Sequence, residues 1–196
     1  MRNPTQTKES ILESSGKLFN TQGYKATSIS DITDATGLTK GAIYRHFDSK
    51  QHLEEETLAH LANHMFEGLR SRIKMEASAP GKLHAICDFY KNYLFNTDIE
   101  GGCPLLNAAI EADDANPGLK TKAIGMLDML MESLISIIQK GIEHRQIKPS
   151  VDPQFIATIF IGALEGGIMM SKLRSNSDDI NRIIQHLETV IYEISL

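Results

Sequence analysis

The 196-residue chain is expected to be all-α, with a three-helix helix-turn-helix head at residues 1–50, a larger helical body at residues 51–196 and about nine helices in all. Three observations lead there. No stretch alternates apolar and polar residues for long enough to build a strand. Apolar residues recur at offsets of three and four, as in Ile180, Ile183, Ile184, Leu187, Val190, Ile191 and Ile194 near the C-terminus. Residues 27–50 carry two short helical patterns joined at Gly37, where a left-handed backbone costs glycine little.

Taken in order, the first helix places Ile11, Leu12, Leu18 and Phe19 on one face. Ser28 is suited to cap the second helix, which carries Ile29, Ile32 and Ala35; Asp31, three residues on, makes a capping box with Asp in place of Glu or Gln. Thr39 can cap the third, whose inward face is Ile43 and Phe47. Ser49 opens a fourth helix to about Ile73, with Glu54, Glu55 and Glu56 in early turns that favour negative charge. A break at residues 77–81 precedes a helix with Ile86, Phe89, Tyr90, Tyr93 and Leu94 on its apolar side. After a second break at residues 100–104, a helix runs to about Ala112, and Asn116-Pro117 opens a long one ending near His144. Pro149 and Pro153 bracket the last loop before two final helices. The most apolar run, residues 155–170, is shorter than the ~20 residues of a membrane span, contains Glu165 and reads as a buried helix.

Two helices joined by a tight glycine turn let the second enter the major groove with its first residues nearest the base edges. Those residues are Thr39, Lys40 and Gly41. Lys40 can donate to guanine O6 and N7, Thr39 can bond a base or phosphate, and Gly41 lets the backbone approach closely. Tyr44, His46 and Lys50 are suited to phosphate oxygens, which fix register without reading sequence. Charge agrees: residues 1–50 hold seven Lys or Arg against five Asp or Glu, a net of +2, which leaves −7 of the total −5 on the other 146 residues. A mildly basic head on an acidic body suits DNA contact by the head alone.

The string Thr27-Ser28-Ile29, Ile32, Gly37-Leu38-Thr39-Lys40-Gly41, Tyr44-Arg45-His46-Phe47 and Ser49-Lys50 resembles the DNA-binding domain of the tetracycline-repressor (TetR) family of bacterial regulators. Gly23-Tyr24-Lys25-Ala26-Thr27 is similar to that family's connection into its second helix. The detailed resemblance covers about the first quarter of the chain. It implies a cytoplasmic homodimer that binds a palindromic operator on double-stranded DNA, with repression the expected sign, and a C-terminal domain that answers a small-molecule effector. It also implies DNA-facing roles for Ser28, Ser30, Thr39, Lys40, Gly41, Tyr44, His46 and Lys50. The apolar stripe of the last helix packs either against its own core or against a symmetry mate, as the resemblance implies. Gly162-x-x-x-Gly166, with Gly167 beside it, permits close helix approach in either case.

No catalytic residue, metal or cofactor is expected. There is no Ser/His/Asp order or glycine-rich phosphate loop. Glu56, His60 and His64 share a helix face at metal-ligand spacing, but no further ligand is near in sequence, so they read as a solvated face. A helical-bundle enzyme using the His60/His64 pair or Cys103 is the rival class. Cys87 and Cys103 form no disulfide pattern and imply a reduced compartment, and the N-terminus has no apolar signal region. Cys103, after two glycines and before Pro104, is either a structural thiol or an accessible sensor of oxidants or electrophiles; Cys87 reads as buried and inert. Methionines adapt to varied apolar ligands, so Met126, Met129 and Met169, with Phe89, Tyr93 and Cys103, are the expected pocket residues. Glu111, Asp113 and Asp114 read as a helix end turned to solvent.

Overall fold

The computed structural model describes residues 3–93, 100–112 and 116–196. Leu94, Asp113 and Asp114, singled out above, lie outside the described residues. Among those described there are nine α-helices and no strand, with one isolated backbone bridge between Ile147 and Ser195. In chain order they are α1 (Pro4–Gln22), α2 (Ile29–Thr36), α3 (Lys40–Ile43), α4 (Lys50–Lys74), α5 (Ala79–Tyr93), α6 (Pro104–Glu111), α7 (Pro117–Glu143), α8 (Pro153–Arg174) and α9 (Asp178–Ile194).

The ends follow from local chemistry. The Asn3 side chain accepts the Thr5 amide at 3.1 Å to start α1, and Gly23, at φ 97°, closes it. Asp152 caps α8 by accepting the amides of Gln154 and Phe155. Ser49 Oγ accepts the His52 amide at 3.0 Å at the head of α4. In one place the break read from sequence is displaced: α5 already begins at Ala79, so Pro80 and Gly81 lie in its first turn. Proline is tolerated there because its missing N–H would be unpaired anyway, and Ser78 Oγ accepts the Gly81 amide at 3.1 Å.

Two compact units result, each assembled from separated stretches of chain: Met1–His64 with Ile99–Met126, and Met65–Asp98 with Leu127–Leu196. In the first, α1 packs on α2 and α6, and α2 on α3. Its core holds Ile11, Phe19, Tyr24, Ile32, Ile43 and Phe47, all at most 2% exposed, with the rings of Phe19 and Tyr24 stacked at 4.9 Å. In the second, α9 packs on both α8 and α5. The apolar stripe of α9 is spent on that packing: Ile180, Ile184, Leu187, Ile191 and Ile194 are buried within their own chain. Gly167 makes the α8–α9 approach possible, since a methyl built there would lie 2.8 Å from Ile180 Cδ1.

The expectation that residues 155–170 form a buried helix needs correcting. One face of α8 is core (Ile156, Phe160, Leu164, Ile168), while Phe155, Ile159, Met169 and Leu173 on the other are exposed. Gly162 and Gly166 continue this second face, and a methyl built at either meets nothing within 4 Å. The offsets 155, 159, 162, 166, 169 and 173 alternate four and three, the spacing of a helix seam. Sequence hydrophobicity reports that both faces are apolar without saying which one the chain itself covers. By length and composition α8 is also long and apolar enough to cross a membrane, a consequence of that two-sided apolarity.

Candidate nucleic-acid interface

Four residues set the ends of α2 and the start of α3. Ser28 Oγ accepts the Asp31 amide at 3.2 Å, and Asp31 Oδ2 in return accepts the Ser28 amide and hydroxyl, each at 2.7 Å. Gly37 sits at φ 66° in the left-handed region and donates to the Thr33 carbonyl at 2.9 Å. Thr39 Oγ1 accepts the Ala42 amide at 3.2 Å and opens α3. The α-helix itself is only four residues long and continues as a turn whose His46 and Phe47 amides both donate to the Ile43 carbonyl. Ile43 and Phe47 anchor it from below, at 0% and 1% exposure.

The Ser28 amide and hydroxyl hold the Asp31 carboxyl below the usual carboxylate range. A depressed folded-state pKa means that the contribution is complete above the unfolded value and is lost as pH falls through the folded one. Asp31→Asn is therefore expected to lower thermal stability at neutral pH and to flatten the acid limb of a stability–pH curve. Parallel acid limbs for the two proteins would contradict this role for the box.

On the outward side the structure gathers most of the expected residues. Ser28, Ser30, Thr39, Lys40, Gly41 and Tyr44 are exposed, and His46 is partly so. Lys40 Nζ lies 5.9 Å from the centroid of the Tyr44 ring, a cation–π pairing that holds both groups outward. Ser30, Thr33, Thr39 and Lys40 contribute to the lining of a shallow cleft of about 350 Å³ between α2 and α3. Gly41 adopts no positive φ, and a methyl built on it meets nothing within 4 Å, so the fold itself has no need of glycine there. Lys50 stands apart from this set. Its ammonium donates to the Tyr24 carbonyl at 2.7 Å and pairs with Glu54 at 3.2 Å, which ties α4 to the turn after α1.

The acidic residues of α4 have specific partners. Glu54, 4% exposed, also accepts from Asn116 Nδ2 at 2.6 Å. Glu56 pairs with Lys8 at 3.1 Å and is held below its ordinary pKa chiefly by that hydrogen bond. Among the described residues no three His, Cys, Asp or Glu side chains converge on a possible metal position.

Sequence reasoning missed a buttress behind the head. Glu111, expected at a solvated helix end, turns back: its two carboxylate oxygens accept the Tyr24 amide at 3.0 Å and the Lys25 amide at 2.9 Å. Beside it Asn20, 3% exposed, donates to the carbonyls of Glu100 and Gly102, and Asn107 donates to the Asn20 carbonyl and side-chain oxygen. α6 thus fastens the residues that lead into α2. The spacing from Asn20 to Asn107 is 87 residues, beyond the reach of any local pattern.

Of the expected pocket residues, Phe89 and Tyr93 are buried with Tyr90 in one aromatic cluster, ring centroids 5.4 to 6.0 Å apart. Met126 is buried on α7, Met129 is half exposed and lines a groove of about 340 Å³, and Met169 belongs to the open seam of α8. Cys103 is 1% exposed at the start of α6, so the accessible thiol that two preceding glycines promise is not there. Cys87 is buried, and burial, with Glu188 and Asp88 adding to it, pushes its thiol up to about 12. A thiol that stays protonated at neutral pH is a poor nucleophile.

Comparison with known proteins agrees with this geometry. Residues 11–57 match the model of bacterial regulatory proteins of the tetR family, and residues 79–187 match that of the tetracyclin repressor-like C-terminal domain. A TetR transcriptional regulator from Chloroflexus aurantiacus superposes with a TM-score of 0.95 at 33% identity, covering 100% of this chain and 98% of that one. The transcriptional repressor DhaR of Mycobacterium sp. strain GP1 is 22% identical over 98% of this chain and 93% of its own length. A cysteine mutant of the TetR family regulator CifR, complexed with 26-bp double-strand operator DNA, shares the fold at 18% identity, with a TM-score of 0.83 and 95% of each chain covered. By these matches the chain belongs to the TetR family of helix-turn-helix transcriptional regulators.

Proposed function

We propose that this chain acts in the cytoplasm as a repressor, binding a palindromic operator as a homodimer and leaving it when the C-terminal domain takes up a small molecule. The observation that carries the reading is the row Thr39, Lys40, Gly41 and Tyr44, exposed on a capped helix whose other side is locked by Ile43 and Phe47. CifR, of the same fold, is complexed with a 26-bp operator. Thr39, Lys40 and Gly41 meet the base edges, and Ser28, Ser30, Tyr44 and His46 meet phosphates. Lys50 holds the head together in place of touching DNA. No catalytic role is assigned.

The open seam of α8 supports the dimer. A two-fold interface is self-complementary, and glycines at positions 162 and 166 let two copies of one helix approach closely. Two heads can then meet successive major grooves, about 34–36 Å apart. A ligand moves that arrangement only by as much as it binds the DNA-competent and incompetent states differently.

Binding selection from random duplex DNA, at stated salt because phosphate contacts make affinity salt-dependent, tests the reading. A palindrome is expected; folded protein that enriches nothing at low salt would refute it. Lys40→Ala is expected to cost about 1–3 kcal/mol at the selected site and to relax preference at one base pair. Equal loss on all sequences would make Lys40 a phosphate contact. Gly41→Ala should leave folding intact or improve it slightly, since alanine favours a helix by roughly 1 kcal/mol, while weakening operator binding. Unchanged operator affinity would remove the close-approach role.

A further inference from the structure

We propose that the second unit holds a site for an amphipathic anion, a carboxylate or phosphate head on an apolar tail, in two adjoining cavities beside α4, α5 and α7. The lining of the first cavity, of about 440 Å³, includes Lys82, Lys140 and His144 together with Ser133 and Ser136. No Asp or Glu is among its lining residues. Among the described residues neither lysine ammonium has an ion-pair or hydrogen-bond partner. A cleft lined by one sign of charge focuses its field and concentrates the opposite ion, and here it does so on a chain of net charge −5. Backbone amides nearby are already engaged, Ala79 with Gln146 Oε1 at 2.7 Å and Gly81 with Ser78 Oγ at 3.1 Å. Recognition of the head therefore falls to the side chains.

The second cavity is the 340 Å³ groove, walled by Phe66, Leu69, Met129 and Leu130. It shares Ile73 and Ser133 with the first, so the two abut. Arg70 and Glu132 line it with opposite charges and add no net sign. A bare anion would leave this apolar wall uncovered, and a neutral amphiphile would make no use of the solvent-accessible charges of Lys82 and Lys140. An anion with an apolar tail satisfies both, and the thioether of Met129 can adapt to the tail's shape. The proposal deepens the effector reading above and rests on it for the regulatory consequence alone, because binding itself is measurable without DNA.

Calorimetric titration of the full chain with decanoate, decyl phosphate, decanol and inorganic phosphate, each below its aggregation limit, tests it. One anionic amphiphile per chain is expected to bind at least about tenfold more tightly than decanol or inorganic phosphate, the worth of one charge-assisted contact. Whichever of decanoate and decyl phosphate binds better identifies the head. The double variant Lys82→Gln, Lys140→Gln should lose that tenfold advantage and keep decanol binding unchanged. Met129→Gln, a neutral change at a half-exposed position, should weaken both amphiphiles and spare inorganic phosphate. Equal affinity for decanoate, decyl phosphate and decanol, an unaltered double variant, or no binding by either anionic amphiphile would overturn the proposal. Each of those results leaves the DNA selection standing, and a failed selection leaves the titration standing.

Discussion

Ile159→Glu is expected to convert the protein to a monomer in sedimentation or light scattering and to lower operator affinity by about 10³-fold or more, toward the non-specific level. Ile159 is exposed in the single chain and flanked on the seam by Phe155 and Gly162. Its replacement leaves the core face of α8 (Ile156, Phe160, Leu164 and Ile168) untouched, so far-UV helix content should be retained. In a two-fold interface every substitution occurs twice, which brings two carboxylates together in an apolar seam, and like charges so placed cost several kcal/mol. A dimer held by another surface would survive the change. Retention of both the dimer and operator affinity would therefore move the interface away from α8.

Gly101→Ala is expected to destabilise the first unit by about 3–5 kcal/mol. Gly101 stands at φ 98°, and a methyl there would fall onto the carbonyl of Asn20 and lie 3.0 Å from its side-chain nitrogen. Two costs add: the positive φ, and displacement of a buried asparagine that bonds the carbonyls of Glu100 and Gly102. Because α6 also clamps Tyr24 and Lys25 through Glu111, the loss should reach DNA binding as well as melting. Gly37→Ala is the comparison, being at φ 66° with nothing within 4 Å; it carries the backbone strain without the clash and should cost about 1–3 kcal/mol. Equal effects of the two substitutions would show that Asn20 yields easily.

How much was legible in advance divides by range. Caps and turns act over three or four residues, so Ser28 with Asp31, Thr39 with Ala42 and the left-handed Gly37 can be read from the string. Periodicity, caps and breaks together located the helices, and the family resemblance in the head agrees with the family match over residues 11–57. Lys50 could not be assigned that way. Its residue type suits a phosphate, but whether the ammonium faces DNA or the Tyr24 carbonyl depends on where α4 crosses the turn after α1. Glu111 is the same case, a charged residue at a helix end that proves to be a partner for two amides 86 and 87 residues away.

By itself, then, the sequence determined the fold class, most helix ends and the helix-turn-helix, all consequences of hydrogen bonds and spacings within a few residues. Only the tertiary structure decided that α9 spends its apolar stripe on its own core while α8 keeps a seam open, that Cys103 is buried, and that Lys82, found on α5, lines one cavity with Lys140 of α7 and His144 just beyond it. The reason is physical: hydropathy measures what a side chain would gain by leaving water, and packing between distant segments determines which side chains do.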